Sequence, residues 1–149
     1  MHRSALLAPL LLASLALAQT RPSPATSATF TNFGPACGAD LNGHVSATIP
    51  VGFAVTNAAP ASFGVIVAGQ QAAAPIPLPI GTCDLLIDHR RLIGTMVFIT
   101  DAAGAARVLL PRVPPAGLDV SFQAIVITPD RANNTRTLAS SNGTELVTQ

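Results

Sequence analysis

The sequence predicts an all-β fold: an antiparallel two-sheet β-sandwich (Ig-like) with one disulfide, which follows a cleaved signal peptide. Three observations predict this class. The 149-residue chain contains 13 prolines, which oppose long helices because proline lacks an amide proton and clashes inside a helix. No stretch keeps an apolar stripe at helical spacing. Short apolar runs instead alternate with glycine, proline, asparagine and aspartate, the pattern of many short strands joined by turns.

Residues 1–18 have the order of features that is typical of a secretory signal peptide. A positively charged start, Met1-His2-Arg3, precedes an apolar run from Ala5 to Leu17, and Ala16-Leu17-Ala18 suits cleavage before Gln19. The alternative is a membrane anchor, but a spanning helix needs about 20 apolar residues and this run is shorter. Because position 19 is glutamine and not cysteine, a bacterial lipid anchor is not expected. The protein is therefore predicted to be secreted, extracellular or periplasmic, without a transmembrane segment after cleavage.

The composition of residues 19–149 predicts the properties of the protein after signal-peptide cleavage. Residues 19–29 are rich in proline, serine, threonine and alanine, and we expect a flexible segment ahead of a domain at 30–149. Eight basic residues, all arginine, face seven acidic ones, and loss of Arg3 leaves a neutral domain with no electrostatic reason to bind nucleic acid. Only 10% of residues are charged, so the domain is expected to rest against other material. The lysine-free, alanine-rich composition is associated with GC-rich bacterial genomes.

Two-residue alternation locates the strands. Val51, Phe53 and Val55 share one face of a predicted strand, and the apolar residues of 63–67 repeat the period. The second half of Val120–Thr128 is apolar on both faces, which favours a central strand. Seven to nine strands are expected in total. The remaining predicted strands are Cys83–Ile87, Thr95–Thr100, Ala105–Leu110 and Thr144–Thr148.

Turn and loop signals separate these runs. Asp101-Ala102-Ala103-Gly104 fits a type I turn and is predicted to join Met96–Thr100 to Ala105–Leu110 as a hairpin. Asn57-Ala58-Ala59-Pro60 indicates another turn. Three prolines at 75, 77 and 79 make the stretch after the alanines at 72–74 an extended loop or an edge strand.

The two cysteines, Cys37 and Cys83, are predicted to form a disulfide because export leads to an oxidising compartment. The chain-entropy model assigns about 4 kcal/mol to closing a loop of about 47 residues. A structural zinc site requires four ligands in tight clusters, and neither Cys-x-x-Cys nor a suitably spaced histidine is present. We therefore expect no metal and no cofactor.

Asp84, Asp88 and His89, followed by Arg90 and Arg91, form the densest polar cluster. In a regular strand, Asp84 and Asp88 point to the same face, which favours a shared cation or an acid/base role. The alternative is a solvated strand end, in which Asp–Arg pairs contribute about 0–1 kcal/mol each. A hydrolase or metal-dependent enzyme would need these side chains in one pocket. That pocket would also hold His44 or Glu145.

Other catalytic patterns are missing from the sequence. It contains no Gly-x-Ser-x-Gly elbow, no His-Glu-x-x-His and no phosphate-binding glycine loop. Paired cysteines cannot act as thiolate nucleophiles. Sugars usually stack on exposed Trp or Tyr, and the chain has neither; most of its six phenylalanines occupy predicted core positions. Asn133-Asn134-Thr135 and Asn142-Gly143-Thr144 match the N-glycosylation pattern. We predict no catalytic residues.

A series of short landmarks also runs along the chain in a fixed order. They are Phe33-Gly34-x-x-Cys37, Ile76-Pro77-Leu78-Pro79, Gly81-x-Cys83-x-Leu85-Leu86, Thr100-Asp101-Ala102-Ala103-Gly104-Ala105-Ala106, Leu109-Leu110-Pro111, Gln123-Ala124-x-Val126 and Ser141-Asn142-Gly143. Over residues 32–148, the series resembles an uncharacterised secreted β-rich module common in exported proteins of planctomycetes and related bacteria. The resemblance implies an extracellular β-sandwich-like module with Cys37 paired to Cys83, and it brings no known activity. The chain departs from the pattern in standing nearly alone behind a signal peptide and in lacking Trp and Tyr.

These observations together predict a non-catalytic, secreted structural or adhesion-like module, with a cell-surface protein or polymer as its partner. Two alternatives stay open: a small secreted hydrolase or metal-dependent enzyme built on the polar cluster, and a carbohydrate- or polymer-binding module.

Overall fold

A computed structural model describes residues 25–45, 51–130, 133 and 135–149. The predicted signal peptide, 1–18, and residues 19–24 of the predicted flexible segment lie outside these residues. Within the described part the backbone forms eight strands and no helix, hence no helix able to cross a membrane. The strands are β1 (Ala28–Phe33), β2 (Asp40–His44), β3 (Gly52–Thr56), β4 (Phe63–Pro77), β5 (Asp84–Ile99), β6 (Ala106–Leu109), β7 (Asp119–Asp130) and β8 (Thr135–Thr148).

The strands form two antiparallel sheets, which confirms the predicted all-β class. The five-stranded sheet has the order β1-β8-β7-β4-β5, and the three-stranded sheet has the order β2-β3-β6. β7 lies in the middle of the larger sheet, between β8 and β4, as its apolar character on both faces predicts. β1 begins at Ala28, two residues before the predicted start of the domain.

The main core lies between the inner faces of the two sheets. Phe53 of β3 is fully buried and contacts the ring of Phe30 edge-on, with 5.6 Å between ring centroids. On its other side it meets Phe122 of β7 at 4.6 Å. Burial of these rings and of the aliphatic residues around them is the main stabilising contribution of a sandwich-like fold.

Polar side chains of β8 also join the two sheets. The Asn142 Oδ1 atom accepts a hydrogen bond from the Leu41 amide at 2.9 Å, and Asn142 Nδ2 donates to the Leu41 carbonyl at 2.9 Å. The buried Thr144 hydroxyl donates to the Leu41 carbonyl at 3.0 Å. Asn142 is therefore a structural residue whose amide is already engaged, and a glycan on its nitrogen would break this link between sheets.

The Asp101–Gly104 turn forms as predicted, but the predicted hairpin is wrong. The Gly104 amide donates to the Asp101 carbonyl at 3.1 Å, and Gly104 has a φ of 74°, which favours glycine. The strands on either side of this turn belong to different sheets, because β5 pairs with β4 and β6 pairs with β3. The turn reverses the chain and carries it from one sheet to the other.

Candidate functional site

The far half of the β4–β5 hairpin, residues 70–91, folds over the outer face of the five-stranded sheet, and we call it the arm. The outer face is the one turned away from the three-stranded sheet. The arm residues Leu85 and Ile87 pack against Val67, and together with nearby side chains they form a second, smaller core. A Cβ at Gly69 would lie 2.7 Å from the Arg91 carbonyl oxygen, so the close approach of the two strands at the bend requires glycine.

Two ties hold the arm to the sheet. The first is the disulfide Cys37–Cys83, which confirms the predicted pairing. Cys83 lies at the end of the arm. Cys37 exchanges two backbone hydrogen bonds with Ser140 of β8, at 2.7 and 2.9 Å. The disulfide therefore connects the arm to the segment between β1 and β2, which is itself hydrogen-bonded to β8 of the sheet beneath it.

The second tie is the fully buried side chain of Gln123 on β7. Its Oε1 atom accepts a hydrogen bond from the Leu86 amide at 2.7 Å, and its Nε2 atom donates to the carbonyls of Asp84 at 3.0 Å and Ser141 at 2.8 Å. All of its polar atoms are satisfied, as buried polar groups require. Sequence reasoning noted Gln123 only as a landmark. A glutamine on the outer face of a central strand, within an apolar run, was the signal that could have identified it.

The predicted polar cluster lies on the arm and at its bend. Asp84 is half-buried at the start of β5, where its backbone carbonyl accepts the bond from Gln123. Asp88 accepts a hydrogen bond from the Arg90 amide at 2.9 Å, and its other oxygen lies 3.6 Å from Nε of Arg91. His89 is exposed. The pairing register shifts beyond Ile87, so the regular alternation that would place Asp84 and Asp88 on one face stops there.

The other predicted participants lie on separate strands. His44 is at the end of β2 in the three-stranded sheet, opposite Gly52. Glu145 is on β8, where it pairs with Thr31 and Ser121. Among the residues that the structure describes, no group of three histidine, cysteine, aspartate or glutamate side chains is arranged to hold a metal ion.

The arm covers only one end of the outer face, and the other end is apolar and open. Phe63 pairs with both Ile99 and Ile127, and Val65 pairs with Val97, and we call these five residues the apolar patch. Val65 and Ile127 are half-buried, and Val65 also packs against the small core under the arm. Phe63 is 47% exposed, Val97 is 68% exposed and Ile99 is 70% exposed. Three of the five side chains in the patch are therefore largely open to solvent.

The apolar patch continues to an unprotected sheet edge. β5 is the last strand of its sheet, and no other described strand pairs with its outer side. Between Val97 and Thr100, beyond the stretch 93–96 that faces the loop at 110–118, this strand carries no charged residue, no proline and no bulge, the features that usually protect an edge. The edge of β5 therefore exposes backbone hydrogen-bonding groups next to the apolar side chains of the patch.

Comparison with known proteins returns no match: no family model, no curated protein and no solved structure is similar to this chain. The arm, the apolar patch and the free edge are therefore interpreted from their own geometry.

Proposed function

We propose that this protein is a non-catalytic, secreted structural or adhesion-like module of the cell envelope or extracellular space. In this proposal residues 1–18 act as the signal peptide, and the two sheets form an immunoglobulin-like sandwich. It would then belong with the modules of exported proteins from planctomycetes and related bacteria that the landmarks resemble. The observation that carries the proposal is the apolar patch, which stays open although the arm buries the other end of the same face.

The scaffold around the apolar patch supports an attachment role. The disulfide and the buried Gln123 tie the arm to the sheet that presents the patch, so they limit how far this sheet can move. Disulfides persist in oxidising, extracellular compartments, where a surface-attached module must survive without repair. A rigid apolar surface loses little conformational entropy when it binds.

The chemistry of the apolar patch sets the class of partner. Its five residues carry no charge and no hydrogen-bonding side chain, so it complements an apolar protein or polymer surface. The free edge of β5 adds backbone donors and acceptors, which favours a partner that can also contribute an extended segment. Nucleic acid is not the expected partner, because it is recognised through positive charge.

Export and retention test this proposal together. We expect the mature protein to begin at Gln19 by mass spectrometry and to fractionate with the cell envelope. Replacing Val97→Lys and Ile99→Lys should release it into the soluble fraction. The matched control is Val45→Lys with Ile80→Lys, which places the same two charges at exposed apolar residues outside the patch and should remain bound. A wild-type protein that diffuses freely as a monomer and is retained by no envelope fraction would contradict the proposal.

A further inference from the structure

A cavity of about 400 Å³ lies at the side of the main core, away from the apolar patch. Its walls are residues 93–96 of β5 and the loop at 110–118 between β6 and β7. Its floor is formed by Ala68, Val120 and Phe122, which are buried, apolar and part of the main core. The volume is within the range of roughly 300–1,000 Å³ that small-molecule sites occupy.

β5 has a local irregularity beside the cavity. Ala68 pairs with Gly94 but Gly69 pairs with Leu92, so Ile93 is one extra residue in β5, a β-bulge beside the cavity. A Cβ added at Gly94 would meet no atom within 4 Å. The missing side chain at this position leaves the space open, and the backbone there is outside the left-handed region, so other residues fit it.

The loop at 110–118, which forms the opposite wall, is held by hydrogen bonds at both ends. The cavity is therefore present without a ligand. The Leu110 amide donates to the Val51 carbonyl at 2.9 Å at one end of the loop. At the other end the Leu118 amide donates to the Thr148 hydroxyl oxygen at 2.9 Å. Prolines at 111, 114 and 115 restrict the backbone between these points. A preformed apolar cavity of this kind costs little to occupy.

Charge complementarity indicates the type of ligand. Arg112 is the single charged residue in the cavity wall, and the wall includes no acidic residue. Arg112 is exposed, and its guanidinium forms no ion pair or hydrogen bond within the described part of the chain. An unpaired guanidinium beside an apolar cavity suits a planar anionic group attached to an apolar chain.

We propose that this cavity binds an amphipathic ligand with an apolar tail and a carboxylate head. The tail lies on Val120 and Phe122, and the head pairs with Arg112 at the rim. This binding site is distinct from the apolar patch, because none of the five patch residues lines the cavity. The inference therefore stands or falls independently of the adhesion proposal.

Three probes with the same apolar tail separate the contributions of tail and head: decanoate, decanol and decyltrimethylammonium. With the mature protein in calorimetric titration at low salt, decanoate should bind about threefold to fivefold more tightly than decanol, because it adds an ion pair with the exposed Arg112. Decyltrimethylammonium should bind more weakly than decanol, since its head meets Arg112 with like charge. Equal binding of all three probes, or no binding of decanoate, would overturn the proposal.

Two variants assign the site. Gly94→Leu fills the open space and should weaken decanoate binding by at least about tenfold while the fold is retained, because the new side chain takes the place of the tail. Arg112→Gln should reduce decanoate binding to that of decanol and leave decanol unchanged. Because Arg112 is exposed, this variant keeps the test decisive even if Gly94→Leu does not fold. Val97→Leu, on the opposite face of the same strand, is the control and should bind as wild type.

The other candidate occupant of the cavity is a second copy of the chain. Sedimentation of wild type and Gly94→Leu across a concentration series distinguishes it. We expect the cavity substitution to leave the association state unchanged. A wild-type dimer that Gly94→Leu dissociates, in a protein that does not bind decanoate, would assign the cavity to self-association and overturn the ligand proposal.

Discussion

The two ends of the outer face of the five-stranded sheet consist of similar residues, but one end is buried and the other is exposed to solvent. At the covered end, Val67 is 7% exposed beneath Leu85 and Ile87 of the arm. At the bare end, Val97 is 68% exposed. It lies on the same face of the neighbouring strand β5, opposite Val65, which is two residues from Val67 on β4. Residue type does not distinguish Val67 from Val97. The difference comes from the length of the β4–β5 hairpin and from the ties that hold its far half down.

The two ends also differ in the number of specific interactions that they contain. The covered end has a disulfide, a fully satisfied buried glutamine and a small core. The bare end has none of these features, yet it keeps an apolar surface beside a free strand edge. We infer that the covered end provides stability and the bare end provides contact. Substitutions at the covered end should therefore lower stability, whereas substitutions at the bare end should leave stability almost unchanged and weaken attachment.

Removing the disulfide should have the largest effect. The double substitution Cys37→Ser and Cys83→Ser should lower the free energy of unfolding by about 4 kcal/mol, because the unfolded chain regains the entropy of an open loop. Urea unfolding of oxidised wild type and the variant measures this difference. Hydrogen exchange should show that the arm amides of Leu85–Ile87 lose protection before those of the main core. An unchanged unfolding free energy would mean that the arm does not depend on this tie.

Removing the polar tie should have the next largest effect. Gln123→Leu should lower the free energy of unfolding by about 3 kcal/mol, because the Leu86 amide and two carbonyls lose their partner in a buried site. Gln70→Leu is the matched control: Gln70 is exposed and accepts one hydrogen bond from Arg91 at 2.6 Å. The control should change the unfolding free energy by less than about 0.5 kcal/mol. Equal effects of the two substitutions would contradict the role assigned to Gln123.

The two valines give the most direct test of the comparison. Val67→Ala should lower the free energy of unfolding by about 2 kcal/mol, because it removes two buried methyl groups and leaves a small cavity under the arm. Val97→Ala should change it by less than about 0.5 kcal/mol, because Val97 is already in contact with solvent. Urea titrations of both variants measure the difference. A large loss from Val97→Ala would show that the bare end is covered in solution.

The sequence predicted the inner face better than the outer one, for a physical reason. Alternation shows which residues share a face, and it correctly grouped Phe53 with Val55 and placed β7 centrally. Alternation does not show whether a second layer covers that face. Phe63 repeats the same two-residue period at the start of its own strand, yet it is almost half exposed. Whether Phe63 is covered depends on how far along the sheet the arm extends.

The long hairpin itself was also outside the reach of local patterns. Cys83–Ile87 and Thr95–Thr100 were predicted as separate strands, because Asp88–Arg91 interrupts the apolar pattern between them. These polar residues lie at the bend, where side chains point to solvent and the strand continues without an apolar signal. The Asp101–Gly104 hairpin failed for a related reason, since turn chemistry fixes a reversal of the chain but not the partner of the strand that follows.

The smallest expected effect tests whether charge holds the bend between the two ends. Asp88→Asn removes the ion pair with Arg91 but keeps an oxygen that accepts the Arg90 amide. It should lower the free energy of unfolding by less than about 1 kcal/mol, because Arg91 is exposed and the pair is screened by solvent. Asp88→Ala also removes the acceptor and should cost slightly more. In urea titrations, the difference between wild type and Asp88→Asn should disappear at high salt, where exposed charges are screened. A loss above 2 kcal/mol that persists in high salt and exposes the arm to hydrogen exchange would contradict this expectation. It would mean that the ion pair at the bend, and not the small core, stabilises the covered end.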